Sequence, residues 1–132
     1  MVAPCEVRIE ADGIHVTPRG WHRLGALSRG FVIPLESVQT VEVRPASIQE
    51  EFRSVKPFAR KVGSRIPGKY LAGSFRPWGR DIGSAWWLVK NPDKAVELSL
   101  RGFKYDRIIV EVDDPDGIAA QFRSLIGGEN SA

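Results

Sequence analysis

Cysteine occurs once in this chain, at Cys5, which excludes an intrachain disulfide and leaves the zinc-ligand patterns unfilled. Histidine occurs only at His15 and His22, too few for a metal site with ligands at defined spacing, so no metal or other cofactor is expected. No apolar run approaches the ~20 residues of a membrane span. The segment Met1-Val2-Ala3-Pro4-Cys5-Glu6 lacks the apolar core of a signal peptide. There is no Gly-x-Ser-x-Gly elbow, no phosphate-binding glycine loop with its lysine and no dinucleotide fingerprint. These absences lead to the expectation of a reduced, cytoplasmic, non-enzymatic protein.

What is present fits one globular domain over residues 1–132. Hydrophobic residues make up 42% and charged residues 27%, a globular balance rather than a disordered one. A chain of this length buries roughly two thirds of its unfolded surface, enough for a core without covalent staples. The net charge of +3 is unevenly placed. Between Phe52 and Arg80 lie eight bases and no acid, which leaves the remainder at −5. From Tyr105 to Ala132 there are two bases and six acids. Such a dipole suits an anionic partner or head-to-tail self-association.

Strand signals dominate. Val7 and Ile9 alternate with Glu6, Arg8 and Glu10, Asp12-Gly13 turns the chain, and Ile14 and Val16 resume the alternation, a hairpin pattern. Trp21, Leu24 and Leu27 are spaced by three, as in a short helix. Phe31 to Leu35 and Val38 to Arg44 read as strands, the second stopped by Pro45. Residues 46–68 show no sustained period and read as a long basic connection with a helical turn near Ile48 to Phe52; connections of this length are functional or disordered. Tyr70 to Phe75 reads as a strand, and Pro77-Trp78-Gly79-Arg80-Asp81 as a loop. Ala85 to Val89 is apolar on both faces, as in a central strand. Val96, Leu98 and Leu100, then Ile108, Val110 and Val112, form the clearest strand pair. Residues 114–126 read as a helix: Asp113 or Asp114 caps it, Pro115 opens it, Ile118, Phe122, Leu125 and Ile126 make its apolar stripe, and Gly127-Gly128 ends it.

Seven or eight short strands followed by an amphipathic helix describe a mainly β, α+β domain. The run Tyr105-Asp106-Arg107-Ile108-Ile109-Val110-Glu111-Val112-Asp113-Asp114-Pro115 resembles the last strand and helix cap of a family of small bacterial pleckstrin-homology-like (PH-like) proteins. Gly20-Trp21-His22-Arg23-Leu24 with Leu27, Val32-Ile33-Pro34-Leu35, Gly68, Ala72-Gly73-Ser74-Phe75 and Trp87 are similar too. The resemblance spans nearly the whole chain and its motifs are structural. It implies a PH-like barrel of about seven antiparallel strands in two sheets, closed by the C-terminal helix, and a non-catalytic module that self-associates as some bacterial members do. Lipid-binding members carry bases in the first hairpin loop; here that loop is Ala11-Asp12-Gly13, short and acidic, so their headgroup site is not carried over.

Candidate chemistry is sparse. Pairing about Asp12-Gly13 would set Glu10 opposite His15 and leave Cys5 near Gly20, close to His22. The first is more simply an exposed cross-strand charge pair, and the second is a two-residue coincidence without the third group that orients the base of a nucleophilic site. Glu50-Glu51 reads as a solvated turn, and Gly63-Ser64-Arg65-Ile66-Pro67-Gly68 lacks the strand-to-helix context of an anion nest. The basic stretch is the strongest feature: Arg53, Lys56, Arg60, Lys61, Arg65, Arg76 and Arg80, with Trp78 between Pro77 and Gly79 as its exposed aromatic. Phe52, Phe58, Tyr70 and Phe75 are interleaved with these bases, although Tyr70 and Phe75 also fit a strand core. A protein partner or a second copy is the expected ligand of this face. Anionic lipid is the alternative and single-stranded nucleic acid the third reading, since both use bases with exposed rings.

Overall fold

A computed structural model describes residues 3–22, 30–53, 58–66, 68–77 and 84–130. Among them are nine strands and two α-helices in two sheets that do not close into a barrel. The chain is therefore mainly β with an α+β composition.

The first sheet has the order β1 (Cys5–Glu10), β2 (Gly13–Pro18), β3 (Phe31–Ile33), all antiparallel. Its register differs from the expected one by two residues: Arg8 lies opposite His15, Glu10 opposite Gly13 and Cys5 opposite Pro18. Ala11 and Asp12 form the turn, and Gly13 already belongs to β2. Glycine is needed there for packing, because a Cβ at residue 13, whose φ is 138°, would lie 2.4 Å from the Ile33 carbonyl oxygen of β3. The expected short helix falls mostly on residues 23–29, outside the described residues.

The second sheet comprises β4 (Val38–Val43), β5 (Phe58–Ile66), β6 (Tyr70–Pro77), β7 (Ala85–Val89), β8 (Ala95–Leu100) and β9 (Arg107–Glu111). Its order is β4-β8-β9-β7-β6-β5. The β7–β9 pair is parallel and the others are antiparallel, so the expectation of seven antiparallel strands is replaced by nine with one parallel pair. As its doubly apolar sequence implied, β7 is wholly buried inside the sheet. Short 3-10 turns, Leu35–Ser37 and Pro92–Lys94, precede β4 and β8.

Residues 46–68 are not an irregular connection where they are described: they carry α1 (Ala46–Arg53) and the edge strand β5. The periodicity was hidden because α1 has only two turns and buries a single i, i+4 pair, Ile48 and Phe52. These pack with Leu71, Phe75, Trp87, Val89 and Ile109 on one face of the large sheet. Glu51, expected in a solvated turn, instead reaches Arg107 on β9 from this helix.

The opposite face of the sheet presents Tyr70, Ala72, Trp86, Leu88, Val96, Leu98, Ile108 and Val110 to Ile14, Val16 and Ile33 of the small sheet. Ala119 and Phe122 of α2 (Pro115–Asn130) complete this second core. Consecutive residues on a strand belong to opposite faces, so Trp86 and Trp87 anchor one core each. In the expected stripe of α2, Phe122 is fully buried and Ile118 partly so, whereas Leu125 is exposed. Of the two candidate caps, Asp114 caps the helix, its Oδ1 accepting from the Gly117 amide at 3.1 Å. Asp113 ties down the N-terminal segment by accepting from the Ala3 amide at 2.8 Å and from Arg19 at 3.1 Å. The helix runs on to Asn130, past the glycine pair expected to stop it, since glycine lowers helix propensity by only about 1 kcal/mol per residue.

Candidate functional site

Four of the expected site residues come together on one hairpin at the sheet edge. Arg60, Lys61 and Arg65 lie on β5, and Arg76 lies on β6. The register sets Arg60 opposite Arg76, Lys61 opposite Phe75 and Arg65 opposite Leu71. Arg65 is half-buried, and burial lowers the pKa of its guanidinium. Arg53 ends α1, where a base complements the helix dipole, and donates to Gln49 Oε1 at 3.1 Å. The Gly68 amide donates to the Phe52 carbonyl at 2.9 Å, so the end of α1 is fastened to the β5–β6 turn and Arg53 stands beside it. Lys56, Trp78 and Arg80 lie outside the described residues.

Of the rings interleaved with the expected bases, Tyr70 and Phe75 take the strand-core reading that the sequence favoured. Phe52, Tyr70 and Phe75 are buried, so none offers a free ring for stacking. Among the described residues, the large exposed apolar side chains near the hairpin are Trp21, 65% accessible, and Ile66, 54% accessible. Both flank Tyr70: Ile66 is its partner across the turn, and the Trp21 and Tyr70 ring centroids lie 5.7 Å apart. Lys69, next to Tyr70, is exposed. The sequence signalled Trp21 only as one apolar residue spaced by three from others, a pattern that does not distinguish a buried edge from a free one.

Trp21 rests on a buried polar pair. Its ring centroid is 4.0 Å from that of His22, and His22 Nδ1 lies 2.8 Å from the Tyr70 hydroxyl in a buried hydrogen bond. Burial lowers the pKa of His22, the Lys90 charge lowers it further and Glu111 opposes both. Burial pushes the Tyr70 hydroxyl up to about 12. Both groups are therefore neutral near pH 7 and form a rigid base beneath an exposed indole.

Cys5 is buried opposite Pro18, and burial pushes its thiol up to about 12, far from the thiolate a nucleophile needs. In place of the possible Cys5–His22 pairing, Cys5 Sγ donates to the Glu6 carbonyl at 3.7 Å and His22 Nδ1 is bonded to Tyr70. The Gly63–Gly68 stretch is strand and hairpin turn where it is described, not a nest at a helix start. A shallow groove of about 670 Å³ among Ile9, Leu35, Ala120 and Leu125 contains none of the expected bases. A second aromatic group, Phe31, Phe103 and Tyr105, is served by the chain's own Lys104, whose Nζ lies 5.4 Å from the Phe31 centroid and 5.5 Å from that of Tyr105.

Among the described residues, no helix is long and apolar enough to cross a membrane. Comparison of the chain with family models, with curated proteins and with solved structures finds no match to any of them.

Proposed function

We propose that the protein is a non-catalytic interaction module whose binding face is the β5–β6 turn with Trp21 above it, and whose ligand is an acidic protein surface. The observation that carries this reading is the exposure of Trp21 and Ile66 on either side of buried Tyr70, beside Lys69 and Arg53. Exposed aromatics held on a rigid base are the residues that anchor protein interfaces, and neighbouring cations steer an acidic partner towards them. A second copy of the chain is the partner of first choice, because residues 105–132 carry six acids against two bases while 52–80 carry eight bases and no acid.

The finer reading of the fold is PH-like. It is supported by a C-terminal helix that packs its Phe122 into the core between two sheets. The parallel β7–β9 pair and the six-stranded second sheet are departures from that pattern. The acidic turn at Ala11-Asp12 argues against a lipid-headgroup site of the usual kind.

Sedimentation of the full chain over a wide concentration range, at low and moderate salt, tests the proposal. The expected result is association that weakens with salt and is lost in Trp21→Ser and Lys69→Glu, both exposed positions where the fold is insensitive. A chain that stays monomeric throughout refutes self-association. Flotation with anionic but not neutral vesicles, lost in the same variants, would replace the protein partner by a membrane surface.

A further inference from the structure

We propose that Glu10, Asp12 and His15, at the tip of the β1–β2 hairpin, form a binding site for a divalent transition-metal ion of the zinc class. No ligand spacing in the sequence indicates it, because the hairpin assembles it. Arg8 lies directly opposite His15 in the register, so Arg8, His15 and the diagonal neighbour Glu10 share one face of the small sheet. The Ala11-Asp12 turn brings the third donor back over that face.

One ligand atom from each residue lies within 4.8 Å of the other two. His15 Nε2 is 2.7 Å from Asp12 Oδ1 and 3.3 Å from Glu10 Oε2. With zinc–nitrogen and zinc–oxygen bonds of about 2.0–2.1 Å, the donors of a tetrahedral site stand roughly 3.3–3.4 Å apart. The His15–Glu10 separation already has that value, and the His15–Asp12 separation has only to open by about half an ångström.

The donor chemistry narrows the ion. Calcium and magnesium take oxygen ligands, whereas an imidazole nitrogen with two carboxylates suits zinc and its first-row neighbours. A carboxylate can only accept, so in the metal-free hydrogen bond Nε2 carries the proton that faces Asp12. The incoming ion takes the Nε2 lone pair; a neutral ring moves its proton to Nδ1, and a cationic ring releases one proton to solvent. Arg8 Nη1 approaches Glu10 through the other carboxylate oxygen, Oε1, at 3.5 Å, and so leaves Oε2 to the site. Glu10 and Asp12 are solvent-exposed, so water can complete the coordination. His22, the other histidine, is already bonded to Tyr70 and does not compete.

Cobalt(II) spectroscopy and zinc calorimetry on the full chain test the site. The expected result is one saturable equivalent, a rise in Tm with zinc, and no displacement by millimolar calcium or magnesium. Binding should vanish in His15→Ala and in His15→Gln, and weaken at least about tenfold in Asp12→Asn and Glu10→Gln. Cys5→Ser should leave it unchanged. The two size-conserving carboxylate variants keep the test valid if a His15 variant folds poorly. Absence of saturable binding, binding that survives in a folded His15 variant, or equal affinity for calcium overturns the proposal and leaves the cluster as an ion pair.

Discussion

His22 and Tyr70, 48 residues apart, meet in a buried hydrogen bond of 2.8 Å that joins the segment after β2 to the first residue of β6. Trp21 lies over this pair, so the exposed indole of the proposed interface is held by a contact between the segment after β2 and the large sheet.

The pair makes stability depend on pH in a defined direction. The folded-state pKa of His22 lies below its ordinary value of 6.5, mainly through burial, so the native state stays neutral where the unfolded chain takes up a proton. Its contribution is complete above that ordinary value and declines as pH falls below it. Melting curves from mildly alkaline to mildly acidic pH should show an acid-side loss that is smaller in His22→Gln. Tyr70→Phe should cost about 1–2 kcal/mol at neutral pH through the lost hydrogen bond. An identical acid profile in the His22 variant would assign the loss to other groups.

Arg107 fastens α1 to the large sheet. Its guanidinium donates to both carboxylate oxygens of Glu51, at 2.8 and 3.1 Å, and its Nε donates to Glu97 at 2.6 Å. Burial opposes this charge, and the two carboxylates more than offset it, so its pKa is raised. Arg107→Met should cost about 3 kcal/mol in denaturant unfolding, because two largely buried carboxylates lose their counter-charge. Glu51→Gln should cost less, since Glu97 remains on the arginine.

Two glycines of the β5–β6 hairpin should respond differently to alanine. At Gly63, φ is 139° and a Cβ would lie 2.0 Å from the Ala72 carbonyl oxygen, so backbone must move. At Gly68, φ is 74° and no atom lies within 4 Å of the added Cβ. Gly68→Ala should cost about 1 kcal/mol, the ordinary left-handed penalty, and Gly63→Ala roughly 2–3 kcal/mol or more. Equal losses would mean that the strand pair yields at residue 63.

The neighbouring aspartates before α2 have separate tasks. Asp114→Ala should cost about 1 kcal/mol, as loss of a helix cap does. Asp113→Asn should chiefly loosen the N-terminal segment, visible as faster hydrogen exchange at the Ala3 amide. The Ala3 amide and then Arg19 lower the Asp113 pKa, so this tether contributes above the ordinary carboxylate value of 3.8 and is lost as pH falls through the folded pKa.

Strand alternation around Val7, Val41, Val96 and Ile108 and the doubly apolar run at Trp86-Trp87 were legible, because burial on one or both faces of a strand leaves a period in the residues themselves. The Asp-Pro start of α2 was legible for a similar reason: a cap is a local interaction. The helix Ala46–Arg53 was barely legible, since two turns with one buried pair carry almost no period. Edge strand β5 carried no alternation to read, because its bases interrupt it.

The sequence by itself thus determined a mainly β chain with a C-terminal helix, a single cysteine and a concentrated basic stretch. Only the tertiary structure decided which aromatics remain outside and which charges meet. Trp21 is exposed and Tyr70 covered because β6 packs its first residue against His22, far away in the chain. Glu51 finds Arg107 because packing sets its partner, whereas the expected Glu10–His15 charge pair forms, at 3.3 Å, from a diagonal rather than a directly opposite position. Residues adjacent in space but distant in sequence, or offset by a two-residue change of register, leave no period to read.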